Sequence, residues 1–223
     1  MKDGSPHPDG LVCRLLQKDD YPEIVELMKK FHISIAGLYS SAVYTAFYRR
    51  AIVDDRVVFG VAEYEHKLVG LVIAIIDWNK FWPSFLFRHW LIALRIPFNK
   101  LADRLRKSES KPTYDPQKLK DVDQYLTTAI ADRSWNDSSP KIAKALYIAV
   151  DPNCRGLKIG YRLNRFRDTI LIQRGVERYD GWVDSHSIPQ LHLLHKTGFL
   201  IERRGDKFFV SKDIQPGALG AAR

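Results

Sequence analysis

Apolar residues recur along this chain in two spacings, which predict a mixture of strands and helices. Short runs rich in β-branched and aromatic residues predict strands at residues 11–16, 56–64, 68–76, 145–150, 178–183, 199–203 and 207–213. Apolar residues three or four positions apart predict helices at residues 20–32, 41–50, 117–133, 156–175 and 188–196. The order of these segments indicates an α+β fold, in which helices flank a mixed, mostly antiparallel sheet.

Capping and turn residues define several of the boundaries. Asp20 is suited to cap the first helix, with Pro22 in its first turn and Glu23 at the capping-box position. Residues 65–67 are polar and predict a tight turn between two apolar strands. Gly198 fits a helix C-terminus that requires a left-handed residue.

The chain is interpreted as a single domain over residues 11–213, with flexible tails at 1–10 and 214–223. Residues 77–141 interrupt the order of strands and helices, and we interpret them as a helical insertion before the central strand. The first part of this insertion is aromatic and basic, and it contains three of the five tryptophans.

Three roles fit the aromatic and basic part of the insertion. A lid or a contact between partners, such as a homodimer, would bury the aromatic side chains against protein, and we favour this role. A peripheral membrane helix through residues 78–107 has a suitable mixture of Trp, Phe, Arg and Lys, and it ranks second. Nucleic-acid binding through charge and stacking ranks third.

Composition limits the classes of partner and the compartment. The 223 residues are 45% hydrophobic, and the formal net charge of +9 favours nucleic acid, acidic lipid or a polyphosphate cofactor as a partner. The two cysteines favour a reducing cytoplasm over a disulfide framework. Residues 1–10 lack the apolar core of a signal peptide, and no apolar run reaches the ~18 residues of a membrane span. We therefore expect a cytoplasmic protein, with peripheral membrane contact as the alternative.

The stretch from residue 145 to residue 163 predicts an anion-binding site. An apolar strand at 145–150 leads through a turn at 151–155 into a helix from Gly156. The first backbone N–H groups of a helix lack partners within it, and they lie at the positive end of its dipole. Phosphate or pyrophosphate is the expected ligand. The turn lacks the Gly-Lys-Ser/Thr ending of a Walker motif and the three glycines of a Rossmann fingerprint.

Residues 150–160 resemble the pyrophosphate loop of the GNAT superfamily of acyl-CoA-dependent N-acyltransferases. That loop follows a strand and a Val-x-Pro sequence, here Val150-Asp-Pro152, and it is written Gln/Arg-x-x-Gly-x-Gly/Ala. Arg155 matches its first position and Gly160 its last. Lys158 replaces the middle glycine, which is acceptable if the backbone takes helical angles, and its ammonium adds a contact for phosphate.

Residues 187–199 resemble a second motif of the same family, a helix that ends in Gly-Phe. The matching residues are Leu193, Lys196, Gly198 and Phe199. Three positions depart from the motif, with Ser187 for the usual Asn, Gln190 for Ala and Leu194 for Tyr.

The resemblance implies a GNAT-like fold and an acyl-CoA co-substrate, with acetyl-CoA first and no metal. It implies that the strand ending at Val150 separates from the strand at 178–183, so that the pantetheine arm pairs with the exposed edge. A backbone N–H near Ala149 or Val150 would polarise the thioester carbonyl, and the amides of 155–160 would hold the pyrophosphate. The implied cofactor-binding residues are Ile148, Ala149, Val150, Arg155, Gly156, Leu157, Lys158, Ile159, Gly160 and Tyr161.

The reaction also requires groups that move protons. Many relatives use the tyrosine that Leu194 replaces here as the acid. Within 145–150, Tyr147 is the single titratable residue, and His186, just past the next strand, is the favoured catalytic candidate. Other candidates near His186 are Asp184, Ser185, His192 and His195, and the last two are read as surface histidines rather than a metal pair.

The resemblance implies an N-acetyltransferase whose acceptor is a primary amine on a small molecule or a peptide. Two alternatives stay open. One is a CoA-binding or regulatory module without turnover, and the other is a transferase of longer acyl chains acting at a membrane surface. Tyr44, Phe47 and Tyr48 are read as core residues rather than as an acceptor pocket.

Overall fold

The chain forms one seven-stranded sheet with five helices in the part that the structure describes. This computed structural model describes residues 10–33, 35, 41–89, 126, 141–154, 156–184 and 187–214. The strands are β1 (Val12–Leu15), β2 (Val57–Tyr64), β3 (Lys67–Ile76), β4 (Ile142–Val150), β5 (Arg178–Asp184), β6 (Leu200–Arg204) and β7 (Lys207–Asp213). The helices are α1 (Tyr21–Lys30), α2 (Ser41–Val53), α3 (Trp78–Arg88), α4 (Ile159–Gln173) and α5 (Ile188–Lys196).

The sheet has the order β1-β2-β3-β4-β5-β7-β6. Neighbouring strands pair antiparallel except β4 and β5, which pair parallel. The predicted mixed, mostly antiparallel sheet of an α+β fold is therefore confirmed. The predicted hairpins at 56–76 and 199–213 are also present, and Gly198 is left-handed with a φ of 85°.

Alternate residues of the strands bury into two layers on opposite faces of the sheet. Phe59 of β2 and Ile73 of β3 pack with α1, α2 and α3, and we call this side the α1–α3 face. Val58 and Ala74, their neighbours in sequence, pack on the other side, the α4–α5 face, with Leu171 of α4 and Leu191 of α5. β3 is buried on both faces, which explains its nearly continuous apolar sequence.

The start of α1 is not held by the predicted capping box. Asp20 is the N-cap residue, but its carboxylate accepts hydrogen bonds from Arg14 and from the N–H of Gln17. Glu23 instead accepts the N–H of Leu68, at 2.6 Å. The capping-box prediction was wrong because both carboxylates serve longer-range contacts, which tie α1 to β1 and to the β2–β3 hairpin.

The aromatic residues of α2 lie in the core. Tyr44, Phe47 and Tyr48 are all buried, as the sequence favoured. Phe47 packs against Phe81 and Phe85 of α3, with ring centroids 6.2 and 6.1 Å apart. The first described turns of the insertion are therefore part of the protein core rather than a separate surface helix.

The rest of the insertion falls almost wholly outside the described residues. This applies to the predicted helix at 117–133, to Trp90, and to the portion of 78–107 beyond residue 89. Leu126 is described, and it forms a parallel bridge with Ile201 on the edge strand β6. No helix in the described part of the chain is long and apolar enough to cross a membrane.

Candidate functional site

The parallel strands β4 and β5 pair over only their first three residues. The pairs are Ile142 with Arg178, Ala143 with Tyr179, and Lys144 with Asp180. Beyond these residues β5 continues along β7, while β4 continues along β3. The strands thus separate as the resemblance implied, and residues 145–150 of β4 have no pairing on their β5 side among the described residues.

A β-bulge in β4 accompanies this separation. Ile73 of β3 pairs with Tyr147, whereas the next residue, Ala74, pairs with Ala145, so that Leu146 is the extra residue. A bulge bends its strand and increases its twist. It lies beside the position where pairing with β5 stops, so it can direct the rest of β4 away from β5.

The bulge also changes which side chains share a face. Ala145 packs on the α4–α5 face, whereas Leu146 and Tyr147 both pack with the core of the α1–α3 face. Regular alternation would place Tyr147 on the same side as Ala145. Because of the extra residue, Tyr147 instead shares the α1–α3 face with Lys144.

Lys144 was missed by the sequence analysis, which began this strand at residue 145 and took Tyr147 as its single titratable group. β4 actually begins at Ile142 and therefore includes a lysine. Burial lowers the pKa of Lys144; the carboxylate of Asp180 raises it and the guanidinium of Arg178 lowers it further. A charged residue inside an otherwise apolar strand was the available signal.

The α1–α3 face of β5 carries polar and aromatic side chains beside the separation. Asp180 is buried, and it accepts hydrogen bonds from Nε of Arg178 and from the hydroxyl of Ser211, each at 2.7 Å. Trp182 follows Gly181 on this strand and is half exposed, with its ring 5.2 Å from that of Phe209. The gap between β4 and β5 is therefore polar where it begins, at Asp180, and aromatic further along β5, at Trp182.

Asp151 organises the turn at the end of β4. Its backbone N–H donates to Val69 at 2.7 Å, and its carboxylate accepts the N–H of Asn153 at 3.0 Å. The same carboxylate forms an ion pair of 2.5 Å with Lys30 at the end of α1. The Lys30 ammonium and the Asn153 N–H hold the pKa of Asp151 below its usual value. The turn is thus fixed to β3 and to α1.

Two left-handed residues complete the loop before α4. Gly156 has a φ of 89° and Lys158 a φ of 54°. Helical angles were the condition on which a non-glycine residue was acceptable at position 158. The angles of Lys158 are those of the left-handed region, which glycine adopts most easily. α4 begins at Ile159 rather than at Gly156, because these left-handed residues cannot belong to a right-handed helix.

The first turn of α4 presents backbone donors. The N–H of Arg162 is the first to bond within the helix, to the carbonyl of Lys158. The N–H groups of Ile159, Gly160 and Tyr161 precede it, and no side chain described in the structure caps the helix. This arrangement is suited to an anion, as the sequence predicted.

Gly160 also allows α4 and α5 to approach each other. A Cβ added at Gly160 would lie 3.0 Å from Cδ2 of Leu193 and 3.8 Å from Cγ2 of Val150. The glycine thus serves helix packing, in addition to any role in ligand approach. A large residue at position 160 would disturb the fold as well as the loop.

The structure brings four of the ten predicted cofactor residues together in one cluster. Ile148, Val150, Leu157 and Ile159 pack in one apolar cluster where β4 meets α4. Arg155, Ser185 and His186 lie outside the described residues, so their predicted roles stay predictions.

The histidines and the leucine of α5 are also located. Leu194 is buried in the core of the α4–α5 face, while His192 and His195 lie on the more exposed side of this helix. Among the described residues, no three His, Cys, Asp or Glu side chains are grouped so that they could hold a metal ion.

The site combines an unpaired strand edge with a helix N-terminus a short turn away. The edge offers alternating N–H and C=O groups, which suit an extended ligand that contains amides. The helix N-terminus suits a phosphate group attached to the same ligand. Lys144 and Tyr147 lie beside this separation on the α1–α3 face of the sheet, opposite the face on which α4 packs.

Comparison of the fold with solved structures finds acetyltransferases. An acetyltransferase of the GNAT family from Streptococcus pneumoniae aligns with a TM-score of 0.56 and 15% identity, over 92% of this chain and 99% of that one. PaiA N-acetyltransferase from Thermoplasma acidophilum, in complex with coenzyme A, aligns with a TM-score of 0.51 and 16% identity, over 92% and 99%. YncA from Salmonella typhimurium, with its cofactor acetyl-CoA, aligns with a TM-score of 0.53 and 14% identity, over 96% and 100%. No protein-family model and no curated protein sequence matches the chain.

Proposed function

Because the chain has the fold of the GNAT acetyltransferases, we propose that it is an acyl-CoA-dependent N-acyltransferase that acetylates a primary amine. The observation that supports this most strongly is the separation of β4 from β5 next to the N-terminus of α4. One ligand that carries amides and a pyrophosphate would engage both features, and acyl-CoA is such a ligand.

The donor would lie along β4 and reach the loop with its pyrophosphate. The pantetheine amides pair with the edge at Ile148, Ala149 and Val150, and a backbone N–H there polarises the thioester carbonyl. The pyrophosphate lies on the amides of 155–160. The ammonium of Lys158 adds charge at the same position.

The acceptor would approach from the α1–α3 face. An amine that attacks the thioester must lose a proton, and the departing thiolate must gain one. Tyr147, on this face of β4, is the proposed acid. His186, just past β5, is the catalytic candidate that the sequence favours, and its part in proton transfer stays a prediction. The acceptor is an amine-bearing small molecule or peptide.

Calorimetric titration with CoA tests the donor site. Tyr161→Pro removes one backbone donor in the first turn of α4, where proline is tolerated, and the matched control Tyr161→Ala keeps that donor. A hydrogen bond to a charged group contributes about 1.5–3 kcal/mol, so Tyr161→Pro should weaken CoA binding by roughly 10- to 100-fold relative to Tyr161→Ala. Equal affinities in the two variants, with equal thermal stability, would remove the helix N-terminus from the site.

Thiol release tests the reaction. Acetyl-CoA and longer acyl-CoA thioesters are offered with a panel of primary amines, amino sugars and peptides with free N-termini. Amine-dependent release of CoA, fastest with acetyl-CoA, is the expected result. Release that is equally fast without an amine would indicate thioester hydrolysis and would contradict transfer.

A CoA-binding module without turnover is the second candidate, and the burial of Leu194 favours it. This position in the Gly-Phe motif holds tyrosine in many relatives, but here the side chain is 4% exposed and belongs to the core. A leucine in that place cannot donate a proton to a thiolate. Submicromolar CoA affinity without release of thiol for any acceptor in the panel would support this candidate.

A further inference from the structure

Lys144 occupies the last paired position before β4 and β5 separate. Its register partners are Ile75 on β3 and Asp180 on β5. The next residue, Ala145, lies against Gly181, and pairing across the two strands has ended there. The lysine therefore stands at the base of the separation, within the strand that would hold the thioester.

The direction of the Lys144 side chain follows from its neighbours. Ala143 and Ala145 both pack on the α4–α5 face, so Lys144 belongs to the opposite side. Asp180 lies on the same side of β5, since Tyr179 and Val183 occupy the α4–α5 face. This is the face that Tyr147 joins through the bulge, and it is the side from which an acceptor would approach.

We propose that Lys144 is the base that accepts the proton of the attacking ammonium group. This inference rests on the proposed acyltransferase function and assigns a catalytic residue within it. The uncharged amine of Lys144 takes one proton from the acceptor, R–NH₃⁺, and becomes an ammonium. The freed amine attacks the thioester carbonyl and the C–S bond breaks. Tyr147 donates its phenolic proton to the departing thiolate, and the second proton of the nitrogen restores the phenol. Lys144 then returns its proton to water, so that R–NH₃⁺ and acyl-CoA give the amide, CoA and one proton.

The charges around Lys144 are compatible with an uncharged amine. The carboxylate of Asp180 is already engaged by Arg178 and Ser211, each at 2.7 Å, so its charge is partly compensated. Arg178 itself opposes a second positive charge nearby, and the β3 neighbour Ile75 carries no charge. Burial is the largest effect and lowers the pKa of the lysine. The other charged residues of the flanking strands, Lys67 of β3 and Asp184 of β5, lie at strand ends away from the register of Lys144.

The proposed role of Lys144 as the base is tested first in the absence of an acceptor amine. An NMR titration of ¹³Cε-labelled lysines follows Lys144, whose signal is assigned by its absence in Lys144→Arg. The expected titration midpoint lies below those of exposed lysines such as Lys67. A midpoint equal to that of Lys67 would overturn the proposal.

The second test is the pH dependence of kcat/KM in thiol release with acetyl-CoA and the amine of the panel that reacts fastest. The wild-type rate should rise with pH through the midpoint measured by NMR, because the base must be uncharged. Lys144→Met and Lys144→Arg should both lose this rise and about 10²- to 10⁴-fold in kcat, with CoA affinity within about twofold. The matched control Lys67→Met should retain the profile.

Each outcome separates this role from the proposed function. Recovery of activity in Lys144→Arg would indicate a need for charge alone and would overturn the role of base. An unchanged pH profile in Lys144→Met would do the same while leaving the acyltransferase intact. Absence of CoA binding or of turnover in the wild type would overturn the proposed function, and the role of Lys144 with it.

Discussion

Gly181 of β5 and Ala145 of β4 face each other at the point where the two strands separate. A Cβ placed on Gly181 would lie 2.6 Å from the Cβ of Ala145, which is closer than two carbon atoms can approach. The base of the separation is therefore set by a glycine opposite an alanine. No larger pair fits between the strands at this distance.

Gly181→Ala is expected to destabilise the protein by about 1–3 kcal/mol, because an overpacked contact forces the backbone to shift. Urea unfolding measures the loss. The double variant Ala145→Gly/Gly181→Ala moves the methyl group to the other strand, and it should recover most of the stability. A Gly181→Ala variant as stable as the wild type would show that the strands adjust freely at this point.

The backbone conformation of Lys158 is expected to lower the free energy of unfolding, although its ammonium is expected to strengthen CoA binding. Its φ of 54° lies in the left-handed region, which costs a residue with a Cβ about 1–2 kcal/mol. Lys158→Gly should therefore be more stable than the matched variant Lys158→Ala, by about 1 kcal/mol after the greater freedom of glycine in the unfolded chain is included.

Lys158→Gly and Lys158→Ala also test whether the ammonium of Lys158 contributes to CoA binding. Both lack it, so both should bind CoA more weakly than the wild type, and to a similar extent. Thermal unfolding and calorimetry give the two quantities separately. Equal stability of the glycine and alanine variants would contradict the strain at this position.

The arrangement of strands and helices could be predicted because most segments carry local signals. The hairpin at 65–67, the left-handed Gly198 and the burial of Tyr44 followed from residue type and spacing. The strand, turn and helix start around residues 145–160 also followed, and the binding of an anion there stays a prediction. These features follow from residue type and from spacing within short segments.

The chemistry of the site depends on register, which the sequence does not display. The extra residue Leu146 transfers Tyr147 to the face of Lys144, and alternation alone gives the opposite assignment. The carboxylate of Glu23 accepts a hydrogen bond from the N–H of Leu68, which is distant in sequence, rather than from its own helix. Such features arise only when strands are paired, so they required the structure.

Arg167 and Asp168 of α4 form a charged pair inside the core, and its rupture should be costly. Their side chains are 2% and 4% exposed, and the guanidinium lies 4.0 Å from the ring centroid of Tyr179. Asp168→Ala leaves this buried positive charge without its counter-charge, so a loss of about 3–5 kcal/mol is expected in urea unfolding.

Lys212→Met is the control for the buried pair. Lys212 contacts the other oxygen of Asp168 at 2.6 Å but is itself 20% exposed, so its replacement leaves the inner pair intact. A loss of about 1 kcal/mol is expected. Equal losses in the free energy of unfolding for Asp168→Ala and Lys212→Met would show that the burial of Arg167 does not determine the cost of breaking the pair.

Asp20 should make stability depend on pH in the acid range. Burial raises the pKa of this carboxyl, but hydrogen bonds from Arg14 and from the N–H of Gln17 outweigh it and hold the pKa below its usual value. A carboxyl whose pKa is lower in the folded than in the unfolded chain stabilises the fold above the unfolded value of about 3.9, and this contribution is lost as the pH falls through the folded value.

Asp20→Asn should therefore lose about 1–3 kcal/mol at neutral pH, because the partly buried guanidinium of Arg14 loses the carboxylate that it contacts at 2.7 and 2.8 Å and keeps only its pair with Glu63. The difference from the wild type should stay constant down to about pH 5 and shrink below about pH 4, where the wild-type carboxyl also becomes protonated. Urea unfolding at a series of pH values measures it, and Asp19→Asn, at the exposed neighbouring carboxylate, is the matched control. If the difference in free energy of unfolding stays constant down to pH 2, the stabilisation comes from the geometry of the hydrogen bonds to Asp20 and not from its charge.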